Sequence, residues 1–309
     1  MPEIQEKWTE IIITTPPELT EALSNFLEEM GTGGVFQETA VEDSFGGATV
    51  SAQETIRSYL PWNRSVRKQT DRIAVFIENL ASLFPKLKKP RLSTKTVVDP
   101  GWGEQWKKYF KPIRMSDNIV IKPTWERYTP AGSDIVVDID PGMAFGTGQH
   151  PSTRMCIVAI EEIMLRDSAR EERTVLDIGT GTGVLAICSA KLGARAVTGI
   201  DIDPKAVEIA GRNIVINDVE DRVEIINRDA ALCRGRFDLI VANLISGLLI
   251  QLHEHLTSMM NPGGHLIASG LTEHDAKDVE TLFCGGDVTL QGTQIEKEWV
   301  CYTFQKKDL

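Results

Sequence analysis

The first candidate for chemistry is a glycine-rich turn within residues 174–203, which read TVLDIGTGTGVLAICSAKLGARAVTGIDID. Three glycines, Gly179, Gly181 and Gly183, follow an apolar run; a helical pattern and a second apolar run ending at Asp201 come next. This order predicts a strand–turn–helix–strand unit. Glycines allow positive φ angles and let a ligand approach the backbone, and the following helix offers unpaired N–H groups. Because the carboxylate of Asp201 can accept both hydroxyls of a ribose, the stretch predicts a nucleoside-cofactor site.

The spacing of the glycines bears on which nucleoside is bound. A dinucleotide site has the pattern G-x-G-x-x-G, with a pyrophosphate over the helix N-terminus. This chain has G-x-G-x-G, and Val184 occupies the place of the third glycine. Asp177 stands two positions before the first glycine, where its charge would repel a pyrophosphate but suits a cofactor with an ammonium group. The spacing therefore favours S-adenosylmethionine, whose methionine part has that group, with a nicotinamide dinucleotide as the alternative.

Three further side chains are candidates for a role in the reaction. Methyl transfer from a sulfonium ion has a good leaving group, so the protein must position the cofactor and present a neutral acceptor atom. Asn243 ends the predicted strand FDLIVANL, where its oxygen can accept a hydrogen bond from an amine; alternatively it caps the next helix. Asp229 ends the predicted strand VEIINRDA and either contacts the adenine amino group or only ends the strand. For His150, in a second glycine-rich loop, we favour a structural role over that of a general base.

The composition limits the class of protein. A chain of 309 residues is long enough for two domains, and a net charge of −11 argues against broad electrostatic binding to nucleic acid. No apolar run approaches the ~18 residues of a membrane span, and the N-terminus lacks the pattern of a signal peptide. The five cysteines are far apart with no C-x-x-C pair, which favours reduced thiols and no metal site. We therefore expect a cytoplasmic protein without a membrane segment.

Residues 1–98 predict a folded domain, whereas residues 99–132 differ from them in composition. Residues 1–98 predict a small α+β domain with the order β-α-β-β-α-β, the ferredoxin-like arrangement, which often binds protein or RNA. Its alternative role is structural or oligomerising. Residues 99–132 combine aromatic and basic residues, including Trp102, Trp106 and Lys107. Such a segment can form a nucleic-acid surface, but we favour an interdomain linker whose aromatic side chains pack between the two domains.

Residues 133–309 predict the second domain. Strands that alternate with helical segments predict an α/β fold with a parallel, doubly wound (Rossmann-like) sheet, and the last two strands form an antiparallel pair. A helix over residues 154–165 is expected after the second glycine-rich loop, capped by Ser152 or Thr153. Ligands of such sheets bind at the carboxyl ends of the strands, near the switch point of the strand order. The candidates expected there are Gly179, Asp201, Asp229 and Asn243.

Longer motifs resemble one family of enzymes. The loop DPGMAFGTGQHPST, followed by VLDIGTGTGVLAI, GIDIDP and VANLI, is similar to the bacterial class I methyltransferases that modify protein eleven (L11) of the large ribosomal subunit. The segments GWGEQWKKYFKPI and IKPTWE resemble that family's interdomain segment, so the resemblance covers nearly the whole chain. Two departures are small: Ser152 stands where the family commonly has threonine, and the glycine turn has Thr180 and Thr182 where cysteine or serine is frequent.

The resemblance implies an S-adenosylmethionine-dependent methyltransferase that acts on lysine side chains and the α-amino group of L11, free or on the ribosome. It also implies that the first domain holds the substrate, and we expect a monomer without sequence-specific nucleic-acid binding. Alternatives are another protein substrate or, less favoured, a nicotinamide oxidoreductase. Glutamine methylation is disfavoured because Leu244 follows Asn243, where such enzymes have Pro-Pro-Tyr. The expected cofactor-binding residues are Thr153, Gly179, Gly181, Asp201, Asp229 and Asn243, with Asn243 also catalytic.

Overall fold

The chain forms two compact units, Met1–Tyr109 and Phe110–Leu309. The computed structural model describes residues 7–30, 35–39, 54–61, 66–98, 110–140, 150–166 and 170–308. Each unit has its own sheet and its own apolar core, which agrees with two folding units in a chain of this length.

The first unit has the β-α-β-β-α-β order that the sequence predicts. Its described elements are β1 (Lys7–Thr15), α1 (Pro17–Glu29), β2 (Val35–Thr39), β3 (Glu54–Pro61), α2 (Val66–Leu83) and β4 (Arg91–Val98). The sheet order is β2-β3-β1-β4, with antiparallel neighbours. Helix α1 begins at Pro17, as expected for a proline in the first turn, and buries Leu19, Leu23 and Leu27 against the sheet.

The second unit is built around a seven-stranded sheet with the order β10-β9-β8-β11-β12-β14-β13. Its described strands are β5 (Ile113–Arg114), β6 (Ile119–Pro123), β7 (Ile135–Ile139), β8 (Thr174–Ile178), β9 (Ala196–Asp201), β10 (Val223–Asn227), β11 (Phe237–Asn243), β12 (Met260–Thr272), β13 (Val288–Glu296) and β14 (Trp299–Lys306). Its described helices are α3 (Pro151–Arg166), α4 (Val184–Lys191), α5 (Pro204–Ile216), α6 (Ser246–Met259) and α7 (Glu273–Phe283).

The pairing of these strands confirms the doubly wound α/β fold. Strands β8–β12 are parallel to one another, whereas β14 pairs antiparallel with β12 and β13. Helices α3 and α4 contribute to the core on one face of the sheet, and α6 and α7 contribute to the core on the other. The strand order reverses between β8 and β11, so the turn after β8 and the segment after β11 are neighbours at the carboxyl edge.

A separate three-stranded sheet, with the order β5-β6-β7, differs from the sequence-based expectation. Residues 110–132, which the sequence analysis treats as linker, lie in the second compact unit and supply β5 and β6. Strand β6 is mostly buried and packs Ile119 and Ile121 into the same core as α3 and α4. The strand could not be recognised from the sequence because its apolar run is short and aromatic and basic residues surround it.

Within the described part of the chain, no helix is both long and apolar enough to cross a membrane.

Candidate active site

The glycine-rich turn after β8 has the backbone that its sequence predicts. Gly179 and Gly181 have φ angles of 69° and 54°, a region that other residue types rarely adopt. The N–H groups of Gly179 and Thr180 donate to the carbonyl of Ile200 at 2.9 and 3.0 Å, which fastens the turn to β9. A Cβ on Gly179 would lie only 2.7 Å from Leu244 Cδ2. The turn is therefore held between the end of β9 and the segment that follows β11.

Asp177 lies beneath this turn with a side chain that is almost fully buried. Its Oδ2 accepts the Thr180 hydroxyl at 2.6 Å and the Ala186 N–H, in the first turn of α4, at 3.2 Å. Its Oδ1 is buried without a hydrogen-bond partner among the described residues. Burial raises the pKa of this carboxyl to about 6 in spite of the two donors, and the charge of Asp201 acts in the same direction. Asp177 thus braces the turn with one oxygen, and its other oxygen is a buried acceptor that no described residue satisfies.

Asp201 and Gly181 are brought together as the sequence predicts. Asp201 ends β9, and its Oδ2 accepts the N–H of Gly181 at 3.0 Å. Its Oδ1 accepts the N–H of Asp203 at 2.9 Å, and its main-chain carbonyl accepts the side-chain amide of Asn227 at 2.9 Å. Each carboxylate oxygen has a second lone pair, so this half-buried carboxylate can still accept hydrogen bonds from a ligand.

Asn243 and Thr153 also meet, from elements that are 90 residues apart in the chain. Asn243 is the last residue of β11, and Thr153 lies in the first turn of α3. The Asn243 Nδ2 donates to the Thr153 Oγ1 at 3.4 Å. Thr153 is 1% exposed, whereas Asn243 is half-buried. This contact uses only the amide nitrogen of Asn243, and the amide oxygen does not take part in it.

Helix α3 begins earlier than the sequence analysis predicts. It starts at Pro151, not at residue 154, and Ser152 and Thr153 lie inside its first turn instead of capping it. The capping contact comes from His150, whose Nδ1 accepts the N–H of Ser152 at 3.2 Å and lies 2.7 Å from its hydroxyl. The ring also packs edge-on against Trp299, with centroids 4.5 Å apart. Burial lowers the pKa of His150, which favours the neutral ring that this contact requires.

Asp229 lies near the other candidates but has a local role in the structure. Strand β10 ends at Asn227, which pairs with Asp201, so Asp229 falls in the turn beyond the strand. Its Oδ1 accepts the N–H of Ala231 at 2.9 Å and caps the single 3₁₀ turn Ala230–Leu232. Arg228, the residue before it, donates its N–H to the Asp201 carbonyl at 2.9 Å. The structure therefore brings Asp229 to the correct edge of the sheet without joining it to Asp201.

Sequence reasoning missed a buried asparagine that supports the site. Asn213 of α5 is 0% exposed, and its Nδ2 donates to the carbonyls of Thr182 at 2.8 Å and Asp140 at 3.1 Å. Its Oδ1 accepts the N–H of Asp140 at 2.9 Å. The only available signal was an asparagine at a position of α5 whose neighbours one turn away, Ile209 and Ala210, are apolar. Asn213 joins the glycine turn to the end of β7.

Comparisons with known proteins agree on the family. The family model described as ribosomal protein L11 methyltransferase (PrmA) matches residues 7–307. The chain belongs to this family. It is 36% identical to a ribosomal protein L11 methyltransferase of Geotalea uraniireducens, over 96% of this chain and 98% of that protein. It is 38% identical to the one of Geobacter sulfurreducens, over 98% of this chain and 100% of that protein.

A solved structure supports the same conclusion about the fold. The crystal structure of a ribosomal protein L11 methylase from Lactobacillus delbrueckii subsp. bulgaricus is 30% identical and superposes with a TM-score of 0.57. The match covers 64% of this chain and 100% of that one. The resemblance inferred from the sequence motifs is confirmed, and so is the methyltransferase fold that it implies.

In this member of the L11 methyltransferase family, two segments of the sequence motifs lie outside the described residues. One is the loop segment 141–149, and the other is the aromatic segment 99–109 with Trp102, Trp106 and Lys107. Within the part that is described, no group of three or more His, Cys, Asp or Glu side chains could hold a metal ion. The expectation of a metal-independent enzyme stays a prediction.

Proposed function

We propose that this protein transfers methyl groups from S-adenosylmethionine to amine nitrogens of ribosomal protein L11, both lysine side chains and the α-amino group. Membership of the L11 methyltransferase family supports the donor and the protein substrate. The observation that carries the proposal is the position of two residue pairs at the carboxyl edge of one sheet. Gly181 and Asp201 form the first pair and Thr153 and Asn243 the second, on either side of the switch point.

The first pair and its surroundings fit the cofactor. The glycine turn presents backbone without side chains, and Asp201 retains lone pairs for the ribose hydroxyls. The buried Oδ1 of Asp177 has no partner among the described residues, and an ammonium group of the cofactor is a donor of the right charge for it. S-adenosylmethionine supplies an electrophilic methyl group on a sulfonium ion. Thr153, Gly179 and Asp229 complete the proposed cofactor contacts.

Asn243 is the proposed catalytic residue because it can orient the acceptor amine. A lysine with the ordinary pKa near 10.4 needs about 4.6 kcal/mol to lose its proton at pH 7, whereas an α-amino group near 7.8 needs about 1 kcal/mol. A dry site and a neighbouring sulfonium charge both lower the pKa of an amine. The amide oxygen of Asn243 can then accept a hydrogen bond from the neutral amine and direct its lone pair at the methyl group.

The experiment for this proposal is mass spectrometry of L11 after incubation with the enzyme and isotopically labelled S-adenosylmethionine. For Asn243→Ala, we expect an affinity for the cofactor within about tenfold of wild type and a single-turnover rate about 100-fold lower. Asn261→Ala is the matched control, because Asn261 is a half-buried asparagine whose amide binds Asp238 at the opposite edge of the sheet. An unchanged rate in Asn243→Ala, or unlabelled L11 with wild-type enzyme, contradicts the proposal.

A nicotinamide oxidoreductase is the competing function. Val184, at the place of the third glycine of a dinucleotide site, is buried in the core as the first residue of α4. Isothermal titration separates the two functions: we expect heat of binding with S-adenosylmethionine and with its demethylated product, and none with NAD.

We also propose that the first unit holds L11 and that the second unit carries the cofactor site. That each unit is compact by itself supports separate binding functions for the two units. A truncated protein of residues 110–309 should then bind S-adenosylmethionine within about threefold of the full chain and methylate L11 at least about 100-fold more slowly. A truncated protein that methylates L11 at the full rate contradicts this assignment, and circular dichroism verifies that it is folded.

The proposed substrate bears on where the enzyme is located and on the charge of its partner. A ribosomal protein as substrate favours a cytoplasmic enzyme, and a net charge of −11 favours a basic protein partner over RNA. We propose a monomer, which sedimentation equilibrium tests directly.

A further inference from the structure

A β-bulge lies beside the proposed catalytic residue. Along the antiparallel pair of β12 and β14, Ala268 is opposite Tyr302, whereas Leu271 is opposite Val300. Two residues of β12, Ser269 and Gly270, thus stand against one residue of β14. Bulges of this kind re-aim side chains and are frequent next to active sites. Neither Ser269 nor Gly270 was among the residues that the sequence analysis selected.

Ser269 is fully buried and contacts both elements that carry the Asn243–Thr153 pair. It is the register partner of Asn243 in the parallel pair of β11 and β12, and its carbonyl accepts the N–H of Leu244 at 3.0 Å. Its hydroxyl is 3.3 Å from the carbonyl of Ser152, to which it donates, with the Val300 carbonyl as a second acceptor at 3.5 Å. One buried residue thus links the end of β11 to the first turn of α3.

Gly270 leaves the space that the Asn243 amide occupies. Its φ of 84° is in the left-handed region, and a Cβ built on it would lie 2.6 Å from the Leu244 carbonyl oxygen. The same Cβ would lie 3.1 Å from the Asn243 Oδ1, which is closer than an ordinary van der Waals contact. A side chain at this position would therefore push against the atom that is proposed to accept the amine.

We propose that the Ser269–Gly270 bulge is the positioning element for methyl transfer. Ser269 fixes the backbone after Asn243 and the first turn of α3, so that Thr153 meets the Asn243 Nδ2. Gly270 leaves the Asn243 Oδ1 uncrowded and available to the amine. The inference rests on the proposed role of Asn243 and extends it to two residues that are not among the proposed cofactor contacts. Small displacements matter here, because misplacement of a reacting group by about 1 Å can slow a reaction about 100-fold.

The test compares Gly270→Ala with Gly286→Ala. Gly286 also has a left-handed backbone, with a φ of 59°, but a Cβ on it would meet nothing within 4 Å. It precedes β13, at the edge of the sheet opposite Asn243. Both variants place alanine in an unfavourable conformation, so both should lower the melting temperature. We expect Gly270→Ala to lower the single-turnover rate of L11 methylation about 100-fold with a nearly unchanged affinity for S-adenosylmethionine. Gly286→Ala should keep the wild-type rate.

A double-mutant cycle separates positioning from a general loss of structure. Adding Gly270→Ala to Asn243→Ala should lower the rate by less than about twofold, because the group that the bulge positions is already gone. Ser269→Ala, which adds no atoms, covers the case in which Gly270→Ala does not fold. It should slow transfer about fivefold alone and have no effect in the Asn243→Ala background.

The outcomes distinguish this inference from the proposed function. Equal rates in Gly270→Ala and Gly286→Ala overturn the inference, as do effects of Ser269→Ala and Asn243→Ala that simply multiply. A wild-type rate in Asn243→Ala overturns the proposed role of Asn243 itself, whatever the bulge variants do.

Discussion

The side-chain amide of Asn213 donates to the carbonyl of Thr182 across 2.8 Å and so connects helix α5 to the glycine turn. The same side chain exchanges two hydrogen bonds with the backbone of Asp140, at the end of β7. Residues 141–149, the family's second glycine-rich loop, follow Asp140 directly in the chain. One buried amide therefore supports both the glycine turn and Asp140, the residue that precedes the second glycine-rich loop in the chain.

Replacing Asn213 should weaken cofactor binding as well as stability. Asn213→Ala removes three hydrogen bonds to the backbone of Thr182 and Asp140, and we expect a loss of about 2–4 kcal/mol of unfolding free energy in urea titrations. Because the glycine turn loses a support, the affinity for S-adenosylmethionine should also fall about tenfold, measured by isothermal titration.

Asn217 provides the matched control for this variant. It follows α5 one turn later, is 4% exposed, and makes the same pair of hydrogen bonds with the backbone of Asp138. Its third side-chain hydrogen bond goes to the Asn213 carbonyl, so within the described part of the chain its side chain does not bond to the glycine turn. Asn217→Ala should lose comparable stability with an unchanged cofactor affinity. Equal losses of affinity in both variants would show that the effect follows from stability alone.

Asp201 should contribute to cofactor affinity through hydrogen bonds that its carboxylate accepts from the cofactor. Hydrogen bonds to a charged group contribute about 1.5–3 kcal/mol, so Asp201→Ala should weaken binding of S-adenosylmethionine between about 10-fold and 100-fold. Asp203 is the control: it lies two residues away, is exposed, and caps α5 by accepting the N–H of Lys205 at 2.9 Å. Asp203→Asn keeps a good cap and should bind the cofactor normally. A similar affinity loss in both variants would point to the local negative charge instead of a direct contact.

Much of the fold could be predicted because its signals are local. The glycine turn, the strand-end residues Asp201 and Asn243, and the order of elements in the first unit all follow from spacing and periodicity. The start of α3 could also have been found, because proline after His150 favours the first helical position. The predicted helix started too late because Ser152 and Thr153, which follow this proline, were interpreted as the cap.

What the sequence did not reveal depends on contacts between distant segments. The Ser269–Gly270 bulge is defined by the register of β12 against β14, and nothing in the segment HLIASG marks it. The same is true of Asn213, whose partners lie 31 and 73 residues away. Strand β6 was not predicted because its apolar run is short and lies among aromatic and charged residues. Asp229 was selected from its position alone, and nothing in the sequence indicated that one of its carboxylate oxygens caps a local turn.

His150 is expected to be a helix cap and not a general base. Because Nδ1 accepts the Ser152 N–H, the contact needs a neutral ring. His150→Ala should lose about 1 kcal/mol of stability, whereas His150→Asn restores a capping acceptor and most of that loss. In His150→Asn, the dependence of the single-turnover rate on pH should be the same as in wild type on the acidic side of the profile, which is its acidic limb. If the limb moves or disappears in both variants while they remain folded, His150 takes part in proton transfer.

Asp177 gives the free protein a pH dependence of stability with an unusual sign. Its pKa is raised from 3.8 to about 6 in the folded protein, mainly by burial. The folded state therefore binds this proton more tightly than the unfolded state, so stability falls as the pH rises from about 4 to about 6. A shift of about two pKa units corresponds to about 3 kcal/mol. The lowered pKa of His150 acts in the opposite direction, because stability there rises with pH.

Comparing wild type with Asp177→Asn isolates the contribution of this carboxyl. The difference in unfolding free energy should change by about 2–3 kcal/mol between pH 4 and pH 7.5, with the asparagine variant relatively more stable at the higher pH. The same variant should bind S-adenosylmethionine about tenfold more weakly at pH 7.5, because a neutral amide replaces a charge next to the ammonium group. A parallel pH dependence in the two proteins would mean that Asp177 keeps an ordinary pKa. Unchanged affinity with the expected pH dependence would mean instead that its carboxylate only braces the glycine turn through Thr180 and Ala186.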